Sequence, residues 1–261
     1  MTQGTVGVNI LSNVVGIGGS NVSAFGDIIA VDPTPEVQLD FIYGINTRTA
    51  STAIVTTGVA TTSLGRLSLS TGTGAAGSAE LRSSRIARYR AGEGMLARFT
   101  AVWDGATASC TQVVGVGSAV TGYFFGFDGV TFGVSIRKGS SDTWTTQANW
   151  NGDKCDGTGA SGFTWDKTKG NVMQIVYPFL GYGNINFWVQ NPATSEWILC
   201  HTIRYANSSA LIQVDNPSFP FFAKVINTGS TTNRTMFVGS ALVSVTGKIR
   251  YLTASWGVAN L

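Results

Sequence analysis

Residues 111–139, TQVVGVGSAVTGYFFGFDGVTFGVSIRKG, carry the clearest indication of fold class in this chain. The glycines of this stretch lie among β-branched and aromatic residues, and no helical pattern follows them. A dinucleotide-binding loop needs its glycines at a strand-to-helix turn, and a P-loop ends in Lys-Ser/Thr, which is missing here. Glycine inside a strand instead marks a bulge, a bend or a closely approaching backbone. We therefore predict that Gly126 and Gly133 lie in a curved sheet, and that the aromatic residues beside them belong to the core: Phe124, Phe125, Phe127 and Phe132.

The same stretch contains a β-hairpin, because Asp128-Gly129 is a strong two-residue turn signal between β-rich runs. No segment of the chain carries a sustained helical pattern. The sequence predicts an antiparallel β-sandwich, of the jelly-roll or concanavalin-like kind, with little helix. Outward from the hairpin, the strand-like segments are RIARYR (85–90), MLARFTAV (95–102), NVMQIVYPFL (171–180), NINFWVQN (184–191), EWILCHTIRY (196–205), FFAKVIN (221–227) and TMFVGSALVSVTG (235–247).

Three regions divide the 261 residues. Residues 1–35 are predicted to be an N-terminal arm or assembly strand, because the first thirty are apolar and glycine-rich, with Asp27 as their one charged residue. Such a segment should not stay free in water, so we expect it to add as a strand to a neighbouring subunit. Packing against its own sandwich is the alternative. Residues 36–250 are predicted to form the β-sandwich and residues 251–261 a C-terminal tail.

The charge and cysteine content argue against several classes of partner and site. Charged residues make up 12% of the chain and the formal net charge is +3. This balance does not favour a nucleic-acid or membrane partner, and no apolar run approaches the ~20 residues of a membrane span. The cysteines are widely spaced, without a CxxC pair, which argues against a disulfide framework and against a zinc site. We expect Cys110, Cys155 and Cys200 to fill small apolar spaces in a reducing compartment.

Few residues suggest catalysis. His201, the only histidine, lies in a strand-like segment with apolar neighbours, and no G-x-S-x-G motif supports a catalytic triad. A pair of carboxylates for glycoside hydrolysis is the more serious alternative. We predict that the protein is not an enzyme and has no catalytic residues and no cofactor. The carboxylate candidates all lie in turn-like contexts, where they are expected for turn reasons alone: Asp104, Asp128, Asp142, Asp153, Asp156, Asp166 and Glu196.

The loop NWNGDKCDGTGASGFTWDKTKG, residues 149–170, is the most distinctive in the sequence. Calcium could use oxygen ligands from Asp153, Asp156 and Thr158, but their spacing does not match an EF-hand loop and Lys154 lies among them. We therefore predict an ordered, solvated loop without metal. Aromatic faces beside Asp and Asn are how β-sandwich lectins often hold sugars, although buried anchors for a long loop look the same in sequence. The candidate glycan-binding residues are Trp144, Trp150, Asp153, Asp156 and Trp165.

Several segments, taken in order, resemble a recurrent block in the virion structural proteins of tailed phages and large DNA viruses. The resemblance spans residues 36–245 and implies a β-sandwich displayed on a virus particle, with no catalytic residues. The segments are VQLDFIYGINTRT (37–49), RYRAGEGMLARFTAVWDG (88–105), the stretch 111–139, WNGDKCDGTGASGFTWDKTKGNV (150–172), LGYGNINFWVQNPATSEWILCHTIRYAN (180–207) and DNPSFPFFAKVINTG (215–229).

This resemblance makes a virion structural protein the leading functional hypothesis. The chain would be a capsid, head-decoration, fibre or spike component that forms a homo-oligomer, with a trimer favoured, and contacts other capsid proteins. The alternative is a carbohydrate- or receptor-binding, lectin-like module on a viral fibre, whose partner is a host-surface glycan. A polysaccharide-cleaving enzyme is a third hypothesis.

Overall fold

The computed structural model describes residues 33–246, which fold as a sandwich of two antiparallel β-sheets. These residues contain fifteen strands, and their one helical element is a 3-10 turn at Gln147–Asn149. The predicted antiparallel β-sandwich with little helix is therefore confirmed. No helix in this part of the chain is long and apolar enough to cross a membrane. Residues 33–35, predicted as the end of the arm, instead belong to a strand of the sandwich that begins at Pro33. The rest of the predicted arm and the predicted tail, 251–261, lie outside the described residues.

Each sheet combines strands that are distant in sequence. The eight-stranded sheet is formed by β1 (Pro33–Asp40), β3 (Val59–Ser63), β4 (Arg66–Ser70), β6 (Gly94–Trp103), β11 (Asn171–Tyr177), β12 (Ile185–Gln190), β13 (Trp197–Ile203) and β15 (Thr235–Thr246). Its order is β13-β12-β11-β6-β15-β4-β3, and β1 also pairs with β15. The seven-stranded sheet is formed by β2 (Ala50–Val55), β5 (Ser78–Ser83), β7 (Cys110–Gly117), β8 (Gly122–Asp128), β9 (Thr131–Lys138), β10 (Ser141–Thr146) and β14 (Phe221–Asn227). Its order is β10-β9-β8-β7-β14-β5-β2.

The stretch 111–139 forms the consecutive strands β7, β8 and β9, with the predicted hairpin between β8 and β9. Asp128 lies opposite Thr131 in the ladder, so the two-residue loop consists of Gly129 and Val130 instead of Asp128-Gly129. Gly129 has φ +59°, a conformation suited to the first central position of a tight hairpin turn. The turn is displaced by one residue from its predicted position because Asp128 still belongs to the strand.

Alternate side chains of this hairpin fill the space between the two sheets. Phe125, Phe127 and Phe132 belong to the main core. The Phe125 ring centroid lies 5.2 Å from that of Phe187, which comes from β12 in the facing sheet. Fully burying one phenylalanine side chain stabilises the fold by roughly 1.5–3 kcal/mol. Three of the four predicted core phenylalanines are thus confirmed between the sheets.

The fourth, Phe124, is buried on the outer face of the seven-stranded sheet, in a small cluster with Val113 and Phe222. The Arg137 guanidinium lies 4.7 Å from the centroid of the Phe124 ring. The same guanidinium donates through Nε and Nη2 to the two carboxylate oxygens of Asp142, at 2.7 and 2.8 Å. The bidentate pair fixes the plane of the guanidinium, so that it covers the Phe124 ring.

Residues 85–90 do not form the predicted strand. Ala87 makes a single bridge to Phe219, with two backbone hydrogen bonds of 2.9 and 3.2 Å. The Tyr89 N–H then donates to the Ser218 hydroxyl at 3.0 Å. A loop side chain therefore satisfies a backbone donor that a strand would pair with a neighbouring strand, and the ladder does not continue.

Candidate functional site

The long loop 147–170 connects β10 to β11 and lies along β13, the edge strand of the eight-stranded sheet. Its Gly152 N–H donates to the Cys200 carbonyl at 3.0 Å, and its Asp153 N–H donates to the Leu199 carbonyl at 2.8 Å. These bonds satisfy acceptors that an edge strand would otherwise expose. The first part of the loop is thus held in a fixed position against the sandwich.

His201 helps to hold the same loop. This buried imidazole accepts a hydrogen bond at Nδ1 from the Asn151 N–H, at 3.2 Å. The Asn151 side chain also exchanges hydrogen bonds of 2.8 and 2.9 Å with the backbone of Thr202. Burial and the positive charge of Arg204 lower the pKa of His201. The neutral imidazole, which can accept at Nδ1, is therefore the favoured form in the folded protein.

Two of the tryptophans predicted to contact a sugar belong to the core. Trp150 and Trp165 are each 3% exposed, and their ring centroids lie 6.2 and 5.1 Å from that of Phe132. The Trp150 indole N–H donates to the Thr145 carbonyl at 3.2 Å. Neither ring presents a face to solvent, because both anchor the long loop on the sandwich. Sugar stacking on these two rings is the part of the prediction that this structure does not support.

Trp144 lies on a different surface. It is half-buried on the outer face of the seven-stranded sheet, opposite Ser135 of β9, and packs against the small cluster that contains Phe124 and Phe222. The structure therefore does not bring the three predicted tryptophans together around one ligand.

Asp153 stabilises the loop from within. Its Oδ1 accepts a hydrogen bond from the Cys155 N–H and its Oδ2 accepts one from the Ser161 N–H, both at 2.8 Å. A side chain at Gly159 would collide with this carboxylate. Burial alone would raise the pKa of Asp153, but the two backbone donors outweigh burial and the pKa lies below its usual value. Asp153 therefore holds the loop in its conformation by binding two of its backbone N–H groups.

Asp156 is fixed in the same way but keeps an oxygen for other donors. Its Oδ1 accepts hydrogen bonds from the Thr158 hydroxyl and N–H at 2.6 and 2.9 Å, and these bonds lower the pKa of Asp156. Since Thr158 and Asp153 are engaged within the loop, the three side chains considered for calcium do not form a shared set of ligands. Residues 33–246 contain no group of three or more His, Cys, Asp or Glu side chains placed to hold a metal ion.

A cleft of about 490 Å³ opens between the loop and the β8–β9 hairpin, and we call it the loop-side cleft. Its apolar side is formed by Phe127, Val130 and Phe132, of which Val130 is 68% exposed. Its polar side includes Thr131, Gln147, Asp156 and Lys167. The Gln147 amide nitrogen donates to the Lys154 carbonyl at 2.7 Å, which leaves the amide oxygen as an acceptor. The cleft thus combines an apolar wall with donors and acceptors.

Lys167 connects the two sides of the cleft. Its Nζ lies 5.2 Å from the centroid of the Phe132 ring, within the range of a cation–π interaction. Burial lowers the pKa of the Lys167 ammonium, while Cys155, Asp166 and Asp156 act in the opposite direction. A cationic donor therefore stands beside an aromatic wall and close to an anionic acceptor.

Of the cleft residues, Asp156 was predicted from the sequence, whereas Thr131, Gln147 and Lys167 were not. Thr131 follows the hairpin turn, Gln147 begins the 3-10 turn and Lys167 lies late in the loop. Their sequence positions indicate turns, and only the packing of the loop against the hairpin brings them together.

Asp156 supplies the one carboxylate among the described residues that line the cleft, whereas glycoside hydrolysis normally requires two. Asp104 accepts a hydrogen bond from the Thr235 N–H at 2.9 Å, and burial raises the pKa of this carboxyl group. The other catalytic candidates occupy the hairpin ladder, an ion pair or local turns: Asp128, Asp142, Asp166 and Glu196. The prediction that the protein is not an enzyme stays a prediction.

No family model and no curated protein matches this chain. Solved structures do. A glycosyl hydrolase family protein from Mycobacterium fortuitum superposes with a TM-score of 0.51 at 10% identity, covering 78% of this chain and 100% of the other. Arcelin-5, a lectin-like defense protein from Phaseolus vulgaris, gives 0.50 at 12% identity, with 82% and 100% covered. A point mutant of the Emp46p carbohydrate recognition domain gives 0.50 at 11% identity, with 84% and 100% covered. At such low identity, these likenesses establish a shared β-sandwich fold.

Proposed function

We propose that residues 33–246 form a carbohydrate-binding module and that the loop-side cleft holds the sugar. The amphipathic lining of this cleft is the observation that carries the proposal. The C–H face of a pyranose would lie on Val130 and the edges of Phe127 and Phe132. Its hydroxyl groups would donate to Asp156 and Gln147 and accept from Lys167. Small-molecule sites commonly combine an apolar wall with a few convergent polar groups in this way.

The fold is compatible with this role. Two of the similar structures are named as a carbohydrate recognition domain and a lectin-like protein, Emp46p and arcelin-5. The two phenylalanine rings are only 8% and 6% exposed, so one cleft offers little apolar area and should bind one sugar weakly. Useful avidity would then come from several copies displayed together, because linked sites gain effective concentration.

A glycan array probed with the full chain tests this proposal. We expect retention of at least one class of saccharide, and we expect Lys167→Met to weaken it about 10- to 100-fold, the effect of removing one hydrogen bond to a charged group. Lys169→Met is the matched control, because Lys169 lies on the same loop, is exposed and does not line the cleft. No retained saccharide, or equal weakening by both variants, would contradict the proposal.

We further propose that the module is a structural or receptor-binding component of a virus particle, displayed as a homo-oligomer beside other capsid proteins. The resemblance of residues 36–245 to virion proteins supports this placement. The edge strands β2 and β3 add a physical reason, because residues 50–65 contain no charged side chain. Ile54, Val55 and Val59 on these strands are 52%, 50% and 47% exposed. Uncharged, exposed edges favour pairing with another chain.

Light scattering after size exclusion tests the assembly. The full chain should elute as an oligomer, with a trimer expected, and Ile54→Lys should shift it towards monomer. Ala193→Lys is the control, because Ala193 lies in an exposed loop between β12 and β13. A monomeric wild type, or an oligomer that survives Ile54→Lys, would oppose assembly through these edges without bearing on the sugar-binding proposal.

A further inference from the structure

Two cysteines that are far apart in sequence meet between the long loop and β13. Cys155 and Cys200 are separated by 45 positions, yet their Sγ atoms lie 3.7 Å apart and both side chains are fully buried. Both are free thiols. A disulfide bond is about 2.05 Å long. To form it, the two sulfurs would have to move roughly 1.7 Å closer together.

The backbone already holds these residues in place. The Cys155 carbonyl accepts a hydrogen bond of 2.9 Å from the Trp165 N–H, and the Cys155 N–H is fixed by Asp153. Cys155 has φ +52°, a left-handed conformation that residues other than glycine rarely adopt. On the other side, the Cys200 carbonyl is bound by the Gly152 N–H. The loop and the strand are therefore tied together within three residues of both thiols.

We propose that Cys155 and Cys200 are a cross-linking site, at which a reversible disulfide fastens the long loop to β13 when the protein meets a low-molecular-weight disulfide oxidant. This inference does not rest on carbohydrate binding. It concerns the loop that carries Asp156 and Lys167, so the cross-link would also hold one wall of the loop-side cleft in place.

The reaction balances with oxidised glutathione as the oxidant. Both thiols are buried in the closed structure, so the first attack requires a transient local opening of the loop, which exposes the Cys155 thiol while Cys200 stays in the sheet. The Cys155 thiolate attacks one sulfur of oxidised glutathione, which forms a mixed disulfide and releases one glutathione thiolate. While the loop is still open and solvent reaches Cys200, the Cys200 thiolate attacks Cys155 Sγ and releases the second glutathione, and the loop then recloses. The two protein thiols lose two electrons and two protons, and oxidised glutathione becomes two molecules of reduced glutathione.

Burial is consistent with this order of events. It raises the pKa of the Cys200 thiol well above its usual value, with the contact to Cys155 as a further cause. Cys200 is therefore a poor nucleophile in the closed structure, and the first attack falls to the loop cysteine. The third cysteine, Cys110, begins β7, near Asp104 and Arg234, and burial raises the pKa of its thiol to about 11. Cys110 therefore serves as the control cysteine in the experiment below.

The test treats the reduced full chain with oxidised glutathione and measures intact mass, non-reducing peptide maps and thermal unfolding. We expect the loss of two hydrogens, a peptide that joins Cys155 to Cys200, and a rise in Tm of about 5–10 °C that dithiothreitol reverses. Cys110→Ala should behave like the wild type. Cys155→Ala and Cys200→Ala should each abolish both the cross-link and the rise in Tm.

Three outcomes would overturn the proposal: wild-type protein that stays reduced, stable glutathione adducts without an internal cross-link, and a cross-link that lowers Tm. Because the wild type is compared with itself before and after reduction, the result does not depend on whether either alanine variant folds. Sugar binding that persists without the cross-link would leave the proposed function intact.

Discussion

Gly126 of β8 and Gly133 of β9 lie directly opposite each other. Each is also in close contact with the backbone of its other neighbouring strand, β7 for Gly126 and β10 for Gly133. A Cβ at Gly126 would collide with the Gln112 carbonyl oxygen of β7, and a Cβ at Gly133 would collide with the Thr145 carbonyl oxygen of β10. Glycine is required at both positions because four strands approach closely there. The glycines that suggest a phosphate loop in the sequence thus allow a tightly packed sheet.

Replacing Gly126 by alanine should destabilise the domain by about 1–3 kcal/mol, since the added Cβ forces neighbouring strands apart. Gly126→Val should reduce soluble yield further. Gly170→Ala is the control, because an added Cβ there has no neighbour within 4 Å and its φ lies outside the left-handed range. Urea denaturation measures the difference, and equal midpoints for both alanine variants would contradict the packing argument.

His201 should make stability depend on pH in a defined window. Its pKa is lower in the folded state than in the unfolded chain, where it is about 6.5. The unfolded state therefore binds the proton more readily, and stability is full above pH ~6.5 and falls as the pH drops through the folded-state pKa. Because the chain has one histidine, His201→Asn should flatten the dependence of Tm on pH between about 5 and 7. An unchanged slope in the variant would assign the effect to other groups.

Asp153→Asn should loosen the long loop. The carboxylate accepts two backbone hydrogen bonds, and after reduction for solvent screening its loss should cost about 1 kcal/mol at pH 7. Since the folded-state pKa of Asp153 lies below the unfolded value of about 3.9, this contribution is present above pH ~4 and disappears as the pH falls through the folded-state pKa. Urea titrations of wild type and variant should therefore converge in acid. The exposed Asp215→Asn should change stability by less than about 0.5 kcal/mol.

The β-sandwich could be predicted from the sequence because strands and hairpin turns are indicated by neighbouring residues. The alternation of Phe125 and Phe127 and the turn at Gly129 depend on residues within a few positions of each other. The order of strands, in contrast, depends on residues far apart in the chain. Strand β7 pairs with β14 through contacts such as Val114 with Ala223, and neither segment has a sequence feature that indicates its partner. Residues 85–90 show the same limit. They were predicted as a strand, but Ala87 makes a single bridge and the next backbone donor, the Tyr89 N–H, binds the Ser218 hydroxyl instead of another strand.

The site was harder to predict than the fold for the same reason. A tryptophan that anchors a loop and one that stacks on a sugar have the same neighbours in sequence, so Trp150 and Trp165 could not be separated by pattern. Lys167 enters the cleft only because the loop folds back over Phe132. The contact between Cys155 and Cys200 depends on the loop lying along the edge of β13, which no spacing rule indicates.

An amide NMR titration of the full chain with the saccharide that the array retains most strongly tests directly whether the sugar binds in the loop-side cleft. We expect the largest chemical-shift changes to cluster at Thr131, Gln147, Asp156 and Lys167. At the same saccharide concentration, Lys167→Met should diminish these changes and Lys169→Met should preserve them. Changes centred on the β2–β3 edge, changes on the outer face around Trp144, or no changes at saturating saccharide would contradict carbohydrate binding in the loop-side cleft.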